Sequence, residues 1–163
     1  MLKQTVGLQK SFSYHHRAVN ADFKHSSLIV RKTLKPGTPC FRPESLAFGK
    51  THTDHMLKIE SDGKKWNKPE IFPFAPFELD PFNSTLHYSI ACFEGMKAYW
   101  GVDGEIRMFR PWDNIGRLST SMERLGMDAP FDHEELLKCM SELILLDKKW
   151  MPKQFGQSMY IRP

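Results

Sequence analysis

The run Met96-Lys97-Ala98-Tyr99-Trp100-Gly101-Val102-Asp103-Gly104-Glu105-Ile106-Arg107-Met108-Phe109-Arg110-Pro111-Trp112-Asp113-Asn114-Ile115-Gly116-Arg117-Leu118 decides how the chain is built. It opens with two short strand-like runs, Met96–Trp100 and Glu105–Phe109, joined by Gly101-Val102-Asp103-Gly104. A short link containing Asp-Gly between two such runs predicts a β-hairpin. The period then changes. Pro111 is tolerated in a first helical turn, where its missing N–H would have had no intrahelical partner. Ile115, Leu118, Met122 and Leu125 follow at helical spacing and make one apolar stripe. Gly126 is placed to end that helix.

Downstream, Asp132 followed by Glu135 predicts a capping box with Asp as the N-cap. Leu136, Leu137, Met140, Leu143 and Ile144 give the next helix an apolar face. Lys148 and Lys149 lie where a helix dipole favours cations, and Pro152 marks the stop. Ser158–Arg162 reads as a further strand, directly before Pro163. Upstream, Thr53–Glu60 roughly alternates as a half-buried strand does. Asp62-Gly63 marks a turn, and Ser27–Arg31 reads as an edge strand. Residues 69–82 hold Pro69, Pro73, Pro76 and Pro81 with Phe72, Phe74, Phe77 and Phe82. The prolines exclude a central strand or a helix there, so the expectation is a loop pinned to the core by its Phe side chains. Strands and helices alternate after residue 83, which predicts an α/β unit. A last strand needs neighbours, so the fold is expected to be part of a larger one.

The chain has 163 residues, 40% hydrophobic and 26% charged, as an ordinary globular protein does. Twelve Phe, four Trp and four Tyr can build a core, which argues against disorder of the whole. Leu143-Ile144-Leu145-Leu146 is the longest purely aliphatic run, too short to span a bilayer. Cys40, Cys92 and Cys139 make no disulfide framework and suit a reducing compartment. Charge is unevenly placed. Residues 1–43 hold eight Lys/Arg against Asp22 alone, while residues 44–163 hold fifteen Lys/Arg against eighteen Asp/Glu. The basic character belongs to the start and not to the body, which argues against a nucleic-acid partner. Residues 1–21 contain no acid and carry Lys3, Lys10, Arg17 and several hydroxyls, the pattern of a mitochondrial transit segment. With the Pro-rich stretch 33–45, this divides the chain into a basic segment with linker, residues 1–45, and an α/β body, residues 46–163.

Candidate chemistry is sparse on spacing alone. His52, Asp54 and His55 are close, but on a strand His55 faces away from the other two, and no metal is expected. Cys92 and His87 lack an orienting third residue. No glycine-rich phosphate loop is present, so a phosphate would need an arginine or a helix N-terminus. Arg110, Arg117 and Arg124 recur every seven residues, near one face, which by spacing alone is a solvated face.

Four runs carry a resemblance further. They are Phe48-Gly49-Lys50-Thr51-His52-Thr53-Asp54-His55-Met56, Leu86-His87-Tyr88-Ser89-Ile90-Ala91-Cys92-Phe93-Glu94-Gly95-Met96-Lys97-Ala98, Met108–Leu118 and Ser158–Pro163. In order and spacing they resemble the branched-chain amino acid aminotransferases, in the mitochondrial form by the basic start. The resemblance implies the small N-terminal α/β domain of a fold-type IV enzyme that uses pyridoxal 5'-phosphate. It implies transfer of the amino group of leucine, isoleucine or valine to 2-oxoglutarate, by a homodimer in the mitochondrial matrix. The partners would be small amino and 2-oxo acids, with no nucleic acid and no membrane. Arg117 matches the arginine that holds the cofactor phosphate. Phe48, Tyr88, Phe93 and Tyr160 match pocket-wall positions, Tyr88 reaching toward the partner subunit. Arg162 matches an arginine on the substrate-carboxylate side. The family's Schiff-base lysine sits in a larger second domain, so no catalytic residue is expected here; Lys50 and Lys97 do not match it. The expectation is an N-terminal portion inactive by itself, the alternative a non-catalytic dimerisation module.

Overall fold

In a computed structural model of the chain, residues 23–42, 48–62, 65–127 and 130–163 are described. The acid-free start and half of the expected Asp62-Gly63 turn lie outside them. The elements are β1 (Ile29–Val30), β2 (His55–Lys58), β3 (Glu70–Pro73), α1 (Ser84–Tyr88), β4 (Met96–Trp100), β5 (Ile106–Met108), α2 (Pro111–Arg124), α3 (His133–Leu146) and β6 (Met159–Ile161). They form a mixed α and β structure with two three-stranded sheets, ordered β1-β3-β2 and β5-β4-β6.

The expected hairpin is the centre of the second sheet. β4 and β5 pair antiparallel with Ala98 opposite Met108 and Trp100 opposite Ile106. The Gly101 N–H donates to the Glu105 carbonyl at 2.8 Å, and Gly104 supplies the turn's φ of +77°, which favours glycine. β6 pairs antiparallel with the other edge of β4. Period two then divides the side chains. Met96, Ala98, Ile106, Met108 and Met159 are buried on the core face. Lys97 lies opposite Tyr160, and Tyr99 opposite Arg107, on the other face.

Arg110, at φ +48°, turns the chain from β5 into α2, and Pro111 takes the first helical position. α2 buries Asn114, Ile115, Gly116 and Leu118. Asp132 caps α3 as expected, accepting from the N–H groups of Glu134 and Glu135 at 2.9 and 3.3 Å. The second half of the capping box does not form. The Glu135 carboxylate accepts instead from the His25 N–H, which fastens the N-terminal segment to α3.

Two expectations need correction. The proline-rich run contains a central strand after all: β3 lies between β1, which runs parallel to it, and β2, which runs antiparallel. The objection to proline is its missing donor, and here Pro69 and Pro73 sit at the ends of the strand. The Pro69 carbonyl still accepts from the Ile29 N–H at 2.9 Å, and Ile71, fully buried, makes the ladder between them. Beyond the strand Phe74, Phe77 and Phe82 are exposed, so they do not pin the loop. The second correction concerns the boundary at residue 45. Phe23 is 2% exposed, edge-on to Trp66 and stacked with Phe131, and β1 belongs to the sheet. Residues 23–30 are therefore part of the packed body.

α3 joins the two sheets through its end. Asp147, its C-cap, and His55 of β2 are both buried. The Thr33 N–H donates to His55 Nε2 at 2.9 Å, which assigns the ring proton to Nδ1. Nδ1 lies 2.7 Å from Asp147 Oδ1, and the His55 N–H donates to Oδ2 at 2.8 Å. Beside this pair, Asp54 accepts from Lys149 Nζ at 2.7 Å and from the Gly37 N–H at 2.8 Å. Burial would raise the Asp54 pKa, but these donors outweigh it and hold the carboxyl down at about 2. Gly37 is required by space: a Cβ there would lie 2.7 Å from the Trp150 ring.

Removing one partner of a buried hydrogen-bonded pair leaves the other unsatisfied, at a cost of about 3–5 kcal/mol. Asp147→Ala should therefore lower the urea midpoint strongly, with His55→Ala similar and the double variant far from additive. Additive losses would mean that the two side chains act separately.

Asp54 gives a pH signature. Its folded pKa lies below the ordinary 3.8, so its stabilisation is fully present above that value and is lost as pH falls through about 2. Urea midpoints compared between wild type and Asp54→Asn should converge by about 2 kcal/mol over this window. A constant difference from pH 5 to pH 2 would refute the assignment.

Candidate functional site

Two arginines, Arg117 on α2 and Arg162 after β6, are connected through Glu94-Gly95 beside the β5-β4-β6 sheet. Arg162 follows β6. Its guanidinium carbon lies 5.4 Å from the ring centre of Tyr160, 5.6 Å from Phe93 and 5.8 Å from Phe48. Phe48 and Tyr160 meet edge to face at 5.1 Å. Ring faces carry negative quadrupole charge, so three of them order a guanidinium without cancelling its charge. Phe48 and Phe93 remain exposed, and the cluster opens to solvent.

Arg117 lies on α2, and its side chain is 57% exposed. Glu94 grips it through two hydrogen bonds, Nε to Oε2 at 2.9 Å and Nη2 to Oε1 at 2.8 Å. Nη2 also donates to Asn114 Oδ1 at 2.6 Å, one helical turn back. Glu94 is itself fixed: its N–H donates to the Pro163 carbonyl at 2.9 Å, and its Oε1 accepts from the Gly95 N–H at 2.8 Å. Gly95 in turn backs the aromatic cluster, since a Cβ there would lie 2.9 Å from Tyr160 Oη. Glu94-Gly95 is thus the short link between the two arginines.

Of the residues proposed from sequence, Phe48, Phe93, Tyr160 and Arg162 come together, and Arg117 joins them through this link. Tyr88 does not. It ends α1, 78% exposed, with no ring contact to the cluster among the described residues. Glu94, Gly95 and Asn114 carry no assigned role in the sequence. The spacing of Asn114 and Arg117, one turn apart on an expected helix, is the signal that could have found one of them. The alternatives fall apart. His87 bonds the Pro81 carbonyl while Cys92 contacts the Met127 sulfur at 4.0 Å. Burial pushes the Cys139 thiol up to about 11, so it is a core residue. Among the described residues no three His, Cys, Asp or Glu are grouped to hold a metal. None of their helices is long and apolar enough to cross a membrane.

This arrangement coincides with similarity to known proteins. The chain is 45% identical over 148 residues to the mitochondrial branched-chain-amino-acid aminotransferase of Rattus norvegicus, covering 90% of this chain and 37% of that protein. By sequence the chain is a relative of the branched-chain aminotransferases. The cytosolic enzyme of Mus musculus is 48% identical over 122 residues, 74% of this chain and 31% of its own. Branched-chain-amino-acid transaminase 1 of Bacillus subtilis is 47% identical over 122 residues, 74% and 34%. No family model matches. The chain thus spans about a third of the length of these relatives, consistent with an N-terminal portion.

Gly95→Ala tests the link. The added methyl meets the far end of the Tyr160 side chain and not backbone. The expected outcome is a stability change under about 1 kcal/mol but a displaced ring, seen as lost nuclear Overhauser contacts between Phe48 and Tyr160. Retained contacts would show that Gly95 does not set the ring position.

Proposed function

We propose that this chain supplies the phosphate-binding arginine and the substrate-facing wall of a pyridoxal-phosphate transaminase acting on leucine, isoleucine or valine with 2-oxoglutarate. The observation that carries the reading is the Arg162 guanidinium set among Phe48, Phe93 and Tyr160. A branched 2-oxo acid has one carboxylate and one apolar tail, and this cluster offers a cation and an apolar wall side by side. The donor set also suits the cofactor. Arg117 is a planar, half-exposed guanidinium, the group that takes phosphate through charge-assisted hydrogen bonds; here its Nε and Nη2 donors are held by Glu94 and Asn114, which a phosphate taking that edge would displace. Pyridoxal phosphate, when bound, supplies an electron sink for the substrate carbon. This chain's residues would bind and orient: Arg117 the phosphate, Arg162 the carboxylate, and the three rings the side chain.

Tyr88 has its place in this reading as a wall contributed to a second subunit. The exposed Phe82, Leu86 and Tyr88, close together in sequence, support a homodimer, because uncovered apolar side chains favour association. The acid-free residues 1–21 support a mitochondrial matrix location, while the relatives include both mitochondrial and cytosolic forms. No lysine of this chain is assigned the covalent role, so the 163-residue chain by itself should form no glutamate from leucine and 2-oxoglutarate.

Binding tests the site without turnover. Titrated with 4-methyl-2-oxopentanoate and followed by NMR, the chain should show shifts at Phe48, Phe93 and Tyr160. Arg162→Ala should weaken that binding about tenfold or more, the loss of one charge-assisted contact. Equal binding by Arg162→Ala and wild type would overturn the reading.

A further inference from the structure

Phe48 is a wall ring of the proposed site, yet it stands on a stretch of chain that the core does not cover. The run Phe48-Gly49-Lys50-Thr51-His52 is exposed throughout. At its start the Phe48 ring meets Tyr160 edge to face at 5.1 Å and lies 5.8 Å from the Arg162 guanidinium carbon. Gly49, at φ +73°, makes the bend that follows. At the other end the His52 ring lies flat on Phe74, with ring centres 3.8 Å apart and planes 15° from parallel. The His52 Nδ1–H donates to the Thr53 carbonyl at 2.8 Å, which fixes the rotation of the imidazole. Phe74 directly follows β3, and its N–H donates to the Asp54 carbonyl at 2.8 Å. Asp54 is held in turn by Lys149 and by the Gly37 N–H. The stack therefore ties the exposed run to the β1-β3-β2 sheet, while the opposite end of the run reaches the rings and the arginine beside the β5-β4-β6 sheet.

We infer that His52 is a positioning residue for Phe48, and through it a determinant of preference for branched over short 2-oxo acids. The inference rests on the reading of Phe48 as a wall of the transaminase site. A wall ring that becomes ordered only when a ligand arrives costs binding free energy in lost backbone and rotamer freedom. A ring fixed beforehand avoids that cost, and the gain goes to ligands that touch it. 4-Methyl-2-oxopentanoate carries a branched tail that needs the apolar wall. Pyruvate has the same carboxylate and keto group but only a methyl, so it uses Arg162 and little of the wall. Stacking requires a flat ring and not the imidazole nitrogens, so a phenyl ring can take the place of His52.

The probes are 4-methyl-2-oxopentanoate and pyruvate, each titrated into the 163-residue chain and followed by NMR. The Overhauser contacts between Phe48 and Tyr160 report the ring position independently of any ligand. His52→Ala should lose those contacts and bind 4-methyl-2-oxopentanoate about fivefold more weakly, the size of one aromatic pair, with pyruvate binding unchanged. His52→Phe should restore both the contacts and the affinity. Phe74→Ala removes the other ring and should reproduce His52→Ala; it carries the same comparison if His52→Ala does not fold. Contacts retained in His52→Ala, equal losses for the two acids, or a His52→Phe variant that behaves as His52→Ala would each overturn the inference. Wild type that binds neither acid, with the contacts still lost in His52→Ala and regained in His52→Phe, would sink the transaminase reading of the site and leave the positioning of Phe48 by His52 standing.

Discussion

The pair His55–Asp147 is the constraint on which the rest is arranged. Burying a carboxylate is costly unless every lone pair that matters is met. Asp147 meets this with the ring N–H and the backbone N–H of one residue. His55 then has one nitrogen left, and the Thr33 N–H occupies it. Three segments distant in sequence are thereby fixed at one point: the stretch after β1, the start of β2 and the end of α3. The neighbouring Lys149 and Asp54 repeat the same connection nearer the surface, with Gly37 closing over Trp150. A hydrophobic contact at this place would join the layers, but it would not fix their register as directed hydrogen bonds do.

With that joint fixed, the site follows from how the second sheet uses its two faces. The face bearing Met96, Ala98, Ile106 and Met108 is buried. The alternate residues, Tyr160 among them, must then lie away from the core. β6 ends beside the Glu94 backbone, so Arg162 arrives at the same rim as Glu94. α2 leaves the opposite edge strand at the left-handed Arg110, and two turns later it presents Arg117 to that carboxylate. Strand pairing and one backbone reversal bring the two arginines to a common link. No long-range attraction between like charges is needed, nor could one operate.

The elements legible from sequence are those whose cause is local. The hairpin, Pro111 at the head of α2, and Asp132 as the cap of α3 each depend on chemistry within a few residues. β3 was illegible because a rule about proline is a rule about donors, and only the ladder shows that Pro69 and Pro73 stand where acceptors suffice. Phe23 was illegible because its partners, Trp66 and Phe131, lie far along the chain. Glu135 could have closed a capping box, but the His25 N–H competed for it. At the site, spacing gave only a basic face. The resemblance singled out Phe48, Tyr88, Phe93, Arg117, Tyr160 and Arg162; it gave no role to Glu94 and Asn114, whose hold on Arg117 is visible only in the folded chain. Tyr88 stands apart from the cluster, as a residue would whose proposed role is on a second subunit.

The two arginines differ in a way that matters for what each would bind. Residues 23–163 carry twenty Lys/Arg against eighteen Asp/Glu, nearly balanced, so the body offers little general attraction for anions, and selectivity must be local. Arg162 is flanked by rings, which order it and exclude water on their side but leave its charge uncompensated. A monoanion such as a carboxylate is sufficient there. Arg117 already faces a carboxylate, so a second monoanion meets a site whose local charge is near zero. A phosphate dianion, with twice the charge and three acceptor oxygens, competes better for the same guanidinium. In the proposed enzyme the cofactor's phosphate and the substrate's carboxylate would then be sorted by the counter-charge each arginine keeps, before any shape of the ligand is felt.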